Sequence, residues 1–212
     1  MELYYILKRV LDILGALVGI ILFSPILLIT AIFIKITSPG GPVLADIPGR
    51  VSRGKDFKMY KFRSMIPNGH QWLLDHPEWY EKYKANNYKI SPEEDPRFIK
   101  GAKIMRKYSI DELPQFFNVL FGDMSLVGPR AYYPFELAEQ RQKYPETGPY
   151  IDDVIQIKPG ITGVWQVSGR SKIGFLERIK MDAAYAKKRS ILYDLLIILK
   201  TPLAVLAAKG AN

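Results

Sequence analysis

From Ile13 to Ile34 the chain carries not one charged residue. As a helix this run reaches roughly 33 Å, enough to cross the hydrocarbon core of a bilayer. It constrains the chain more than any other feature, because an exposed helix of this kind is insoluble unless lipid or protein covers it. Lys8, Arg9 and Asp12 precede it and Lys35 closes it. It is longer than the apolar region of a signal peptide, and no small-residue cleavage pattern follows, so the spacing predicts a permanent membrane segment. Ser24-Pro25 stands in its middle. A proline inside a helix removes one backbone hydrogen bond and crowds the preceding turn. Two readings follow: a kinked spanning helix, or a break that turns the chain back to its side of entry. Both flanks are basic, with Arg50, Arg53, Lys55 and Lys58 on the far side, and both would favour the cytoplasm. The spacing leaves the choice open.

Beyond Ile36 the composition changes. Residues 37–48 are rich in Gly and Pro and read as a loop leaving the membrane. Phe57 to Met65 alternates apolar and basic residues as a short strand does. Asn68 to Tyr88 has aromatic residues at helical spacing. Helices are expected at Ala102–Tyr108, Pro114–Phe121, Phe135–Lys143 and Phe175–Lys188, the last amphipathic. Lys158 to Arg170 is Gly-rich and reads as irregular. The final stretch, Ile191 to Ala208, is apolar enough for a second span, but the interruptions at Asp194, Lys200 and Pro202 and the basic flank at 187–189 better suit a helix lying in the membrane interface. The expected fold class is α+β, mainly helical. Its parts are a membrane helix over 1–36, a small globular domain over 37–190 and a C-terminal interfacial helix over 191–212.

Lys and Arg total 30 against 21 acids, an excess that points to a polyanionic partner. With no cysteine, disulfides, thiol catalysis and cysteine-ligated zinc are excluded. HExxH and GxxxxGK[ST] are absent. The chemically suggestive segment is Ser109 to Gln115, SIDELPQ. Pro114 suits a first helical position and Ser109 with Glu112 suits a capping box. Either register puts Asp111 and Glu112 near a helix amino end, where the macrodipole favours anions. Lys61, Arg63, Arg106 and Arg130 stand in motif-like contexts, and arginine forks bind phosphate oxygens. Singly each suits a solvated surface. Together with a membrane segment and a carboxylate pair they point to phosphate chemistry at a membrane.

Several stretches carry a resemblance: Lys8-Arg9 with Asp12, Ser24-Pro25, KFRSM at Lys61–Met65, and DPR at Asp95–Arg97. They continue with SIDELPQFFNVLFGDMSLVGPR from Ser109 to Arg130 and KPGITGVWQVSGRS from Lys158 to Ser171. In this order the chain resembles the monotopic phosphoglycosyl transferases, or bacterial sugar transferases, along almost its whole length. DELPQ followed by GDMSLVGPR is highly specific to them. Ala131 stands where the family often has proline, and Ile110 where it often has leucine.

The resemblance implies a re-entrant membrane helix broken at Ser24 and Pro25, with a cytosolic catalytic domain on the cytoplasmic face of the bacterial inner membrane. It implies transfer of a phosphosugar from a nucleotide diphosphate sugar, expected to be a UDP-sugar, to a polyprenol phosphate, expected to be undecaprenyl phosphate. Asp111 would be the nucleophile and Glu112 the ligand of an essential Mg2+. Lys61, Arg63, Arg106 and Arg130 would meet substrate phosphates, and Gln166 and Arg170 the nucleotide sugar. The expected partners are those substrates and membrane lipid, with no nucleic acid, and a homodimer is left open. A membrane-tethered module that only binds anionic lipid or nucleic acid is the competing reading.

Overall fold

A computed structural model describes residues 2–45, 47, 49–85, 90, 91, 94–169 and 173–207. The elements are α1 (Glu2–Thr37), β1 (Arg50–Ser52), β2 (Lys55–Phe57), α2 (Gly69–Leu74), α3 (Pro77–Ala85), α4 (Ala102–Lys107), α5 (Gln115–Phe121) and β3 (Ser125–Val127). They continue with α6 (Pro134–Lys143), α7 (Gly148–Ile155), β4 (Gly160–Thr162), α8 (Val164–Ser168), α9 (Phe175–Lys188) and α10 (Ile191–Leu206). The fold is mainly helical α+β. β1 and β2 form an antiparallel hairpin, and β3 pairs with β4 in parallel.

Helix α1 is long and apolar enough to cross a membrane, 36 residues without interruption. Pro25 lies inside it and does not end it. Proline has no N–H to offer the carbonyl of Ile21, and the Ser24 hydroxyl donates to that carbonyl instead, at 2.8 Å. Ser24-Pro25 is thus a self-repairing defect in the ladder.

One face of α1 is built to be covered. Gly15, Ala16 and Gly19 form a small-residue seam. A Cβ on Gly19 would lie 2.6 Å from the Phe116 ring, and one on Gly15 would lie 2.4 Å from Leu126. Further along, Phe23 stacks on Phe116 at 6.0 Å, and Leu27, Ala31 and Ile34 enter a cluster with Phe62, Ile99, Ala102 and Met105. The same globular body therefore covers α1 at both ends. The other face, including Val18, Ile21, Leu22, Leu28, Ile29 and Ile36, is exposed.

The polar residues before the apolar run dock this helix. Arg9 donates to the carbonyls of Val119 and Leu120 at 2.7 and 2.8 Å, capping the carboxyl end of α5. Asp12 is buried and accepts from the Ser125 hydroxyl and the Leu126 amide. Lys8 pairs with Asp194 of α10 at 2.9 Å, and Tyr185 donates to the same carboxylate at 2.6 Å. That explains the acid interrupting the last apolar segment: it is an internal tie. The outer face of α10 shows Leu192, Leu195, Leu196, Leu199, Leu203 and Leu206, all exposed.

Three sequence expectations change. Residues 58–65 form no regular strand, only isolated bridges at Phe62 and Met65. The aromatic helical region divides into α2 and α3, with Pro77 opening the second; residues 86–89 lie outside the described set. The stretch expected to be irregular after Lys158 holds β4 and α8. A close backbone approach shapes it: a Cβ on Gly160 would stand 2.0 Å from the Gly128 nitrogen, and one on Gly128 would stand 2.5 Å from the Lys158 carbonyl oxygen. Only glycine permits β3 and β4 to meet this tightly.

Candidate active site

Asp111 and Glu112 occupy a single 3-10 turn, Ile110–Glu112, just before α5. Ser109 makes no capping bond and adopts a left-handed φ of 55°. The capping-box expectation is therefore replaced by a tighter turn, with Pro114 leading into α5. Asp111 is buried, whereas the Glu112 side chain is 39% exposed.

Asn118 and Asp111 set what faces this turn. Asn118, fully buried on α5, accepts from the Tyr60 amide and donates to the Lys58 carbonyl, both at 2.8 Å. The Phe62 amide donates to the Asp111 carbonyl at 2.8 Å. These bonds hold residues 58–62 alongside the turn and bring Lys61 onto the carboxylates. Its ammonium lies 2.9 Å from Asp111 Oδ2 and 3.2 Å from Glu112 Oε1. Burial pulls the Lys61 pKa down, but Glu112 and Asp111 more than offset it and the net direction is up. Burial pushes the Asp111 carboxyl upward, against the pull of Lys61.

The other expected cations divide. Arg106 is close enough to act on both Asp111 and Lys61, and its guanidinium lies 5.0 Å from the Phe98 ring centre. Arg130 reaches Trp165 at 5.6 Å, and its Nε has no hydrogen-bond partner. Its backbone amide donates to Asp182, a buried acid that also accepts from the Tyr132 hydroxyl. Arg63 is not brought to the carboxylates. Its guanidinium donates to the Pro42 carbonyl, the Ser38 hydroxyl and the Ser38 carbonyl at 2.6 to 2.8 Å, clamping the exit of α1. Gln166 lies on α8 and donates weakly to the Ile161 carbonyl at 3.4 Å. Arg170 falls outside the described residues.

Two arginines missed by the sequence reading join Arg130. Arg50 is buried over the Tyr133 ring at 3.1 Å, with Nε and Nη1 unpartnered. Burial and the neighbouring Arg130 bring its pKa down to about 10 despite Tyr133, and Glu112 lies within its electrostatic reach. Arg178 stands 5.0 Å from the Trp165 ring centre, with its Nε also unpartnered. Buried guanidinium donors without acceptors cost free energy until an anion arrives. Arg50 read as one basic residue among several after the membrane segment. Arg178 read as the solvated side of an amphipathic helix. Neither position offered a sequence signal.

Among the described residues no three acids or imidazoles converge on one metal position. Magnesium, however, commonly takes one or two carboxylates and completes its shell with phosphate and water oxygens. The half-open carboxylate of Glu112 fits such a role, with a substrate supplying the remaining oxygens.

The chain is 38% identical to an undecaprenyl-phosphate galactose phosphotransferase of Salmonella typhimurium, over 97% of this chain and 41% of that protein. It is 39% identical to a UDP-N-acetylgalactosamine-undecaprenyl-phosphate N-acetylgalactosaminephosphotransferase of Aeromonas hydrophila, over 99% of this chain and 46% of that protein. With the exopolysaccharide production protein ExoY of Rhizobium meliloti it shares 35% identity, over 96% of this chain and 87% of that protein. The chain thus spans less than half the length of the first two relatives and most of the third. The sequence pattern of the bacterial sugar transferases matches residues 3–208, and the chain belongs to that family.

Proposed function

We propose that this chain transfers a phosphosugar from a nucleotide diphosphate sugar to a polyprenol phosphate through an aspartyl intermediate. The observation that carries the reading is the buried Asp111, held with Glu112 by one ammonium, with Arg106 acting on Asp111, Arg50 on Glu112, and Arg130 beside Arg50. A basic tether that merely gathers anions has no use for a buried carboxylate with a second, half-open one beside it. In the first half-reaction an Asp111 carboxylate oxygen attacks the phosphorus bearing the sugar. The bond from that phosphorus to the bridging oxygen breaks, and the nucleoside monophosphate leaves with the electron pair. In the second, a phosphate oxygen of the polyprenol attacks the same phosphorus. The bond to Asp111 breaks, and the carboxylate returns with a polyprenol diphosphate sugar formed.

Each residue has a physical task. Lys61 opposes the upward push of burial on Asp111 and so favours the anion that attacks without a separate base. Arg106, Arg130 and Arg50 offset the repulsion between carboxylate and diphosphate and stabilise the leaving phosphate. Glu112 would hold magnesium, which supplies charge neutralisation to the diphosphate when bound. The Aeromonas and Salmonella relatives, by their names, favour a UDP-sugar and undecaprenyl phosphate as the pair. The name of the Rhizobium relative favours exopolysaccharide as the product's destination. Contact of one body with both ends of α1 supports the re-entrant path, because both ends then share a side of the bilayer. A soluble nucleotide sugar as donor favours the cytoplasmic face of the bacterial inner membrane for that side.

The test is single-turnover chemistry without lipid acceptor. Purified chain, magnesium and a panel of UDP-sugars should release up to one equivalent of UMP, and the protein should gain one phosphosugar in mass. Asp111→Asn should abolish both. Full release by that variant would overturn the assignment of Asp111.

A further inference from the structure

A second basic cluster lies away from the carboxylates. Arg9 caps the carboxyl end of α5, and Asp111 and Glu112 precede its amino end. Beside Arg9 a cavity of about 280 Å³ opens between the start of α1, the β1–β2 turn, the loop at Lys158 and the end of α9. Arg53 enters it from the turn, held by a left-handed φ of 50°. Lys158 enters from the segment fixed by the Gly128–Gly160 contact.

The charges here are unbalanced. Arg53 and Lys158 form no ion pair among the described residues. The nearby acids are already engaged: Asp12 by Ser125 and Leu126, Asp194 by Lys8 and Tyr185, and Asp123, which also acts on Lys158, by the Asn118 amide at 3.4 Å. Burial, then Arg53 and Arg9, holds the Lys158 pKa below its ordinary value. Arg189 lines the same cavity, and its Nε is buried without a partner. Like charges gathered in a half-buried cavity call for an anion.

The shape says which kind. The cavity runs into a wider groove of about 750 Å³, sharing Tyr4, Tyr5 and Arg189 with it. The groove's lining adds Leu3, Leu7 and Ile191, and Leu3 and Leu7 belong to the exposed apolar face of α1. Tyrosines at a mouth between polar and apolar zones suit a membrane interface. Asp153 at the rim is paired with Lys187 at 2.8 Å.

We propose that this groove binds one anionic phospholipid, its phosphate held by Arg53 and Lys158 and its acyl chains lying along Leu3, Leu7 and Ile191. A zwitterionic headgroup would bring a second cation into an already cationic cavity. An occupant would fasten the start of α1, the β1–β2 turn and α9 together without touching the reacting atoms.

The experiment titrates the full chain, in neutral maltoside micelles, with dioctanoyl-phosphatidylglycerol, dioctanoyl-phosphatidylcholine, inorganic phosphate and a short-chain prenyl phosphate. Native mass spectrometry counts bound molecules, and thermal melting reads stabilisation. The expected result is one phosphatidylglycerol per chain, with affinity at least tenfold weaker in Arg53→Gln/Lys158→Gln. Because that variant relieves repulsion, it should melt no lower than wild type without lipid. If it fails to fold, Arg53→Gln alone, in an exposed turn, should weaken binding threefold or more. Equal binding of phosphatidylcholine, saturation by inorganic phosphate alone, tighter binding of the prenyl phosphate, or undiminished binding in the variants would each overturn the proposal.

Discussion

Replacing Lys61 tests whether the ammonium sets the ionisation of Asp111 or serves only the substrate. It lies 2.9 Å from Asp111 and 3.2 Å from Glu112. At an effective dielectric near 20, each unit-charge contact at this range is worth about 5 kcal/mol before screening. The Lys61 side chain is 19% exposed, and water would fill the space left by Lys61→Met. A quarter to a half of the contact with Asp111 surviving those effects is roughly 1.4–2.8 kcal/mol, or about one to two pH units on the Asp111 carboxyl. The sign follows from the chemistry. In the proposed mechanism Asp111 attacks as the anion, so the rate should rise with pH through its pKa. Burial already raises that pKa and Lys61 lowers it, so removing Lys61 moves the acid limb to higher pH. The assay is UMP release in the first half-reaction, by quenched flow from pH 5 to 9. Lys61→Met should shift the acid limb up by one to two units and recover rate at the alkaline end, while Lys61→Arg should leave the limb near its wild-type position. A lowered plateau with an unmoved limb would refute the reasoning and give Lys61 to the substrate alone.

The chain has no native cysteine, so Leu3→Cys and Lys55→Cys can be labelled without background. Both should react from the same side of oriented vesicles, and opposite sides would show a spanning α1. Burial raises the Asp182 pKa to about 7, from about 4 in the unfolded chain. Its favourable contribution is therefore complete below pH 4 and lost as pH rises to 7, a span of about 4 kcal/mol. Asp182→Asn should gain several degrees in Tm relative to wild type between pH 5 and pH 8, and a gap that does not change with pH would count against it. Gly160→Ala should cost about 3 kcal/mol or more, since its Cβ would stand 2.0 Å from the Gly128 nitrogen. Gly148→Ala, whose Cβ meets nothing within 4 Å, is the control and should melt near wild type.

What the sequence displays and what it conceals follow from the range of the forces involved. Helices α1, α9 and α10 show their apolar faces in local periodicity, and Asp111 and Glu112 stand out because they share one turn. The path of residues 58–65 is different. Its alternation suggests a strand, but its partners are the Asn118 side chain and the Asp111 carbonyl, some fifty residues away. β3 and β4 are three residues each, too short for a period, and two glycines in separate motifs bring them together. Arg63 and Arg50 are alike on paper. Contacts with Ser38 and Pro42 make the first a clamp, and burial over Tyr133 makes the second a waiting donor.

The small-residue seam of α1 has a consequence for how this molecule is born. Ala16 belongs to one apolar cluster of the globular body and Ile34 to another, so the long apolar helix is also a beam in the frame of that body. It precedes Phe62, Phe116 and Met124 in the chain, so its seam has no cover until they have been made. Cutting the chain at residue 38 would not release the globular part intact. It would open two gaps in the interior and strand Asp194 without Lys8, leaving a frame with its first timber gone.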